Sequence, residues 1–207
     1  MFNEMPQHIP KKVPQAVRAF TSRRIDRREF LRRLTGLSAL VMLPFPVSAQ
    51  GAPSSAFLQR NPAIFNEAQW RLLKQVQQHL FPPTPDSPGA ADLNAAPYLQ
   101  WVIADPNMDE EITTFLKNGV QWTLETLQEK QIASFDALSE AQRESFLREI
   151  EQTDWGQNWL ALLLLFIFEA LLTDPIYGAN PDGVGWEWLN HHPGYPRPTP
   201  QTRYGKR

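Results

Sequence analysis

The chain has 207 residues, 42% of them hydrophobic, with seven tryptophans and a formal net charge of −2; that much apolar surface offsets the entropy of ordering a chain, so wholesale disorder is excluded and one ordinary domain is expected. Cysteine is absent, and the four histidines, His8, His79, His191 and His192, show no i, i+4 zinc spacing, which excludes disulfides, thiolate nucleophiles, iron–sulfur ligation and c-type haem attachment and makes a metal centre unexpected. Residues 1–49 hold nine Lys/Arg against three acids, leaving eleven basic and nineteen acidic residues, a net of −8, in the remainder, an imbalance that argues against nucleic acid as partner.

The basic residues gather in a leader. Asp26-Arg27-Arg28-Glu29-Phe30-Leu31-Arg32 resembles the twin-arginine export motif, with Asp26 where a serine or threonine is usual. A modestly apolar stretch from Leu34 to Phe45 follows, too short to span a bilayer, and Val47-Ser48-Ala49 before Gln50 reads as a small-residue cleavage site after Ala49. The competing reading is an amphipathic basic surface helix. Residues 1–49 are therefore expected to be a signal region handled by the twin-arginine translocon, 50–172 a helical domain, and 173–207 an irregular interface segment. Export by this route carries folded cargo. A chain without evident cofactor ligands gains a use for such a leader if it travels bound to a cofactor protein that lacks one.

Beyond the leader, Asn66 to Gln69 has the form of a capping box, with Trp70, Leu73, Val76 and Leu80 on one face of the helix it opens. Phe81-Pro82-Pro83 ends that helix, and Thr84 to Gly89 is a proline-rich loop. A short helix is expected near Pro97 to Ala104, stopped by Asp105-Pro106. From Asp109, apolar residues from Ile112 to Leu127 recur at helical spacing, with Glu110 and Glu111 favourably placed in the first turn. Ser139 to Gln142 is a second capping box, leading to Phe146, Leu147 and Ile150. The run Trp159 to Leu172 is apolar all round except for Glu169 and shorter than the ~20 residues needed to cross a bilayer, so it predicts a central buried helix rather than a membrane-associated one. Glu169 itself reads as a carboxylate at the helix edge. No β-rich alternation competes, so the fold class expected is all-α, with about five helices.

After Thr173 the composition turns to glycine, proline and aromatic residues, from Asp174-Pro175-Ile176-Tyr177-Gly178 through Asn180, Gly183, Gly185 and Trp186 to Tyr195-Pro196. Such a segment must lie against something: this protein's own helices or a partner. A catalytic reading would use Asp174, Asp182 or Glu187 with His191 and His192 as acid and base. Against it, Pro-Asp-Gly is more often a turn and His-His-Pro-Gly loop surface. A third reading is a free-standing binding module or scaffold.

Four places together resemble the small (gamma) subunit of membrane-bound, FAD-dependent sugar and sugar-acid dehydrogenases, the gluconate 2-dehydrogenase subunit 3 family. They are the twin-arginine leader, Leu80-Phe81-Pro82 with Ser87-Pro88-Gly89-Ala90, Phe135 to Gln142, and the block from Asp174 to Pro196. The block differs from the usual pattern at Ala179, where a second glycine is common, and at Pro181, where an arginine is frequent. The resemblance implies a non-catalytic accessory subunit in a periplasmic complex attached to the inner membrane. In such a complex a large flavoprotein subunit holds FAD and oxidises the substrate, and a multihaem cytochrome c subunit carries haem c. No catalytic, cofactor-binding or metal-binding residue is implied in this chain. The export signal would be Arg27, Arg28, Phe30 and Leu31. The partner interface would involve Asp174, Tyr177, Gly178, Asn180, Gly183, Gly185, Trp186 and Tyr195.

Overall fold

A computed structural model describes residues 64–204. The leader, with Arg27, Arg28, Phe30, Leu31 and Ala49, lies outside the described residues. Six α-helices follow in order: α1 (Glu67–Leu80), α2 (Ala95–Ile103), α3 (Glu110–Glu129), α4 (Glu140–Glu151), α5 (Gly156–Leu172) and α6 (Val184–Leu189). Among the described residues there is no strand, only an isolated bridge between Thr84 and Ser87. The all-α expectation holds.

Both capping boxes form. Asn66 accepts from the Gln69 amide and Gln69 accepts in return from the Asn66 amide, each at 3.0 Å. Ser139 and Gln142 make the same reciprocal pair. Each box satisfies two donors that a helix start otherwise leaves bare. At the start of α3, Asp109 accepts from the Glu111 amide at 3.0 Å, placing a carboxylate where the helix dipole favours it.

Helix α5 is the axis of the molecule. Thirteen of its seventeen residues are buried, and it touches α1, α2, α3, α4 and α6. An apolar surface all the way round suits a helix enclosed on every side. No single helix among the described residues is long and apolar enough to cross a membrane, and α4 and α5 meet at a sharp bend of 116°. Gly156 sits at that bend, where an added Cβ would run into the Ile150 carbonyl oxygen. The helix starts at Gly156, three residues before the apolar run at Trp159, and the close approach of the Ile150 carbonyl there admits no side chain.

A tight helix contact joins α3 and α5. Trp159 is fully buried, its indole lying on Gly119 so that a Cβ at that position would collide with the ring, and its Nε1–H donates to the Leu116 carbonyl at 3.2 Å. Gly119 weakens α3 by about 1 kcal/mol relative to alanine, and the indole fills the space that results. Trp155 and Trp122 continue the cluster, with ring centroids 5.0 Å apart.

The loop from Phe81 to Asn94 closes on itself. Phe81 is fully buried, edge-on to Phe168 of α5 and Trp188 of α6, and its carbonyl accepts from Ala90 at 2.8 Å. Gly89 lies so near Pro83 that an added Cβ would be 2.6 Å from the proline Cδ. The Leu80-Phe81-Pro82 and Ser87-Pro88-Gly89-Ala90 motifs are thus the two sides of one loop that seats a core phenylalanine.

Candidate partner interface

The segment after Thr173 contains more regular structure than its composition suggests: two 3-10 turns, Pro175–Tyr177 and Pro181–Gly183, and helix α6. The glycines concealed this helix, because α6 needs Gly185 where a larger residue would collide. A Cβ there would lie 2.6 Å from both Leu171 Cδ1 and the Leu171 carbonyl oxygen, so α6 crosses the end of α5 backbone against backbone.

Asn180 fixes this arrangement. It is fully buried with φ 49°, in the left-handed region that asparagine tolerates better than most residues. Its side-chain oxygen accepts from the Gly185 amide at 2.6 Å and its Nδ2 donates to the Thr173 carbonyl at 3.2 Å. Its backbone N–H donates to the Leu93 carbonyl at 3.0 Å, and the neighbouring Asn94 Nδ2 donates to Gly178 at 2.9 Å. One residue thereby joins the end of α5, the start of α6 and the loop before α2.

The tail is pinned at two points. Arg197 makes a two-pronged ion pair with Asp174, Nε to Oδ2 at 2.9 Å and Nη2 to Oδ1 at 3.2 Å, and its guanidinium stands 5.1 Å from the centre of the Trp186 ring. The hydrogen bonds to Asp174 push the Arg197 pKa up further, against partial burial. Bidentate pairing of this kind fixes orientation as well as charge. Trp186 in turn donates from Nε1 to the Leu172 carbonyl at 2.9 Å. At the second point, the Tyr204 amide donates to the Tyr177 hydroxyl at 3.1 Å, and the Tyr204 hydroxyl donates to Asp105 at 3.1 Å. Tyr177 stacks on Trp101 of α2 with centroids 5.8 Å apart.

Of the eight residues expected at a partner surface, Gly178, Asn180, Gly183, Gly185 and Trp186 are buried within the chain, Asp174 and Tyr177 are partly buried, and Tyr195 is 75% exposed. They form one continuous region. The second anchor, from Trp101 to Tyr204, is a tertiary cluster drawn from three separated stretches, and no local pattern in the sequence marks it.

The residues of the catalytic reading do not converge. Asp174 is engaged by Arg197 and by the Ile176 amide. His191 rests against the Trp186 ring, with its pKa lowered by burial and by His192. Among the described residues, no hydrogen bond or ion pair joins either tandem histidine to Asp174, Asp182 or Glu187, and no group of three His, Asp or Glu could hold a metal ion. A general acid and base need to share a reacting atom, and this geometry offers none.

Glu169 is the one carboxylate on α5. Tyr98 of α2 donates to it at 3.4 Å, and Thr173 donates to its backbone carbonyl at 2.6 Å. Burial raises its pKa, with the Tyr98 hydrogen bond partly opposing. Burial also pushes the Tyr98 hydroxyl up to about 12, with the Glu169 charge adding to the effect against a hydrogen bond with Thr173. A carboxyl whose folded pKa is raised binds more protons folded than unfolded. Its contribution is therefore most favourable below the unfolded value and is lost as pH rises through the folded one. Thermal melts between pH ~4 and ~7 are expected to show wild type losing stability relative to Glu169→Gln as pH rises. Parallel curves for the two proteins would contradict the assignment.

A family model described as Gluconate 2-dehydrogenase subunit 3 matches residues 67–194, from the first residue of α1 to the loop beyond α6. The chain belongs to that family. The matched span takes in the core helices, the Phe81 loop, the Asn180 junction and Trp186. No curated protein and no solved structure matches the chain. The family's name implies a subunit of a multi-subunit gluconate dehydrogenase complex.

Proposed function

We propose that this subunit is a non-catalytic partner of an FAD-dependent gluconate or sugar dehydrogenase, supporting folding, assembly and twin-arginine export of the flavoprotein subunit. The family match across α1 to α6 carries this reading. The chain's own chemistry supports it: cysteine is absent, and the polar residues of the aromatic block are spent on holding the tail in place rather than grouped around a reacting atom. On this reading the complex works in the periplasm, held at the inner membrane through its partners. FAD resides in the large subunit and haem c in a cytochrome subunit, while this chain contributes the leader and a rigid surface.

The deciding experiment is co-expression with the flavoprotein subunit, followed by purification through a tag on this chain. A stoichiometric complex with flavin absorbance and substrate-dependent reduction of an artificial acceptor is expected. A colourless protein recovered alone would overturn the proposal and favour a free-standing scaffold.

A further inference from the structure

The last stretch of the described chain is attached differently from the helices before it. None of the residues from Asn190 to Tyr204 is buried, whereas α5 buries thirteen of its seventeen. The stretch is held at two polar anchors: Arg197 on Asp174, and Tyr204 on Tyr177, Asp105 and Asn107. Between the anchors, Thr199 and Thr202 close a turn of their own. The Thr199 amide donates to the Thr202 hydroxyl at 2.9 Å, and the Thr202 amide donates to the Thr199 carbonyl at 3.1 Å. Ahead of the anchors, His192 and Gly194 make no hydrogen bond among the described residues, and no atom lies within 4 Å of where a Cβ on Gly194 would stand. The span shared with the family also ends at residue 194.

We infer that residues 195–204 are a strap, the last part of the domain to close and the first to open, swinging at His192–Gly194 and latched on Asp174 and Asp105. Three observations point to it. Segments that open locally have few buried apolar contacts and hydrogen bonds exposed to solvent, and this one has both. The structure left behind on opening stands without the strap: Asn180 is bound to Gly185, Thr173 and Leu93, and Asp174 still accepts from the Ile176 amide. The Thr199–Thr202 turn, finally, ties two latches seven residues apart into one element. When closed, the strap sets the Arg197 guanidinium over the Trp186 ring and the Tyr204 ring edge-on to Trp101, with 6.5 Å between centroids. Opening bares both indoles together. The control is ionic strength. Arg197 is held by an ion pair and its side chain is 38% exposed, so dissolved salt competes with that latch, while Tyr204 is held by hydrogen bonds from uncharged groups.

The test is hydrogen exchange on the full-length chain, read at the Tyr204 amide and across α5, in wild type and in Arg197→Ala. Loss of the first latch is expected to speed exchange at Tyr204, seven residues away, by about 10-fold, with exchange in α5 and the thermal midpoint unchanged. Raising salt from ~50 mM to ~500 mM is expected to do the same to wild type and to add little to Arg197→Ala. Acrylamide quenching of tryptophan fluorescence should rise in step as the indoles are bared. An unchanged Tyr204 amide would mean two separate anchors and would overturn the strap. Faster exchange throughout α5, with a lowered midpoint, would mean that tail and helices open together and would overturn it equally. Should the variant not fold, the salt series on wild type decides the question by the same two readings.

Discussion

Replacing Trp159 by alanine is expected to cost about 3–5 kcal/mol of folding stability, the largest loss foreseen for any single side chain here. The indole is fully enclosed, lies directly on the Gly119 backbone and donates to the Leu116 carbonyl. Its removal opens a cavity between two helices that a glycine already brings close, leaving the walls little room to collapse. Against a total stability of roughly 5–15 kcal/mol for a domain, much of the folded population is at stake. Chemical denaturation measures it, and a loss below about 1 kcal/mol would mean that α3 and α5 are not joined through this residue. The partner position gives a sharper check. Gly119→Ala is expected to destabilise wild type, because the new Cβ meets the indole, yet to stabilise Trp159→Ala, where the clash is gone and alanine's helix preference of about 1 kcal/mol remains. A double-mutant cycle reads that change of sign directly.

The second large effect concerns location. On the proposed function, with Arg27 and Arg28 both changed to lysine, this subunit and the flavoprotein it would escort are expected to remain together in the cytoplasm. The exported flavoprotein should fall by an order of magnitude or more if the pair shares one leader. Cell fractionation with flavin and activity assays measures this. Normal export of the flavoprotein alongside the lysine variant would refute the escort role while leaving membership of the complex untouched.

Which parts of this architecture could be read in advance follows from the range of the interactions that make them. The Asn66 and Ser139 capping boxes operate over three residues and are complete in the local sequence. The apolar spacing of α3 and the uniform apolarity of α5 likewise mark their burial. Helix α6 was hidden because Gly185, ordinarily unfavourable in a helix, answers to Leu171 on another element. The order of the tail depends on Arg197 finding Asp174 and Tyr204 finding Asp105 and Tyr177. Composition showed that the aromatic block needs a surface. It did not distinguish the side chains that face inward, such as Trp186, from those that face outward, such as Tyr195, because both kinds sit in the same run of glycine and proline.

The contacts of the last thirty or so residues also impose an order of events on biosynthesis. The Asn94 side chain must wait for Gly178, 84 residues downstream, and Asp105 for Tyr204, 99 residues downstream. Contacts that span so much chain form late and slowly, and these cannot form until Gly178 and Tyr204 have been synthesised. The first helices therefore emerge long before the domain can close. A polypeptide cut short before Asn180 would expose the end of α5 with its last carbonyls unclaimed, an unfinished product open to proteases. Closure of the domain thus waits on residues as late as Tyr204.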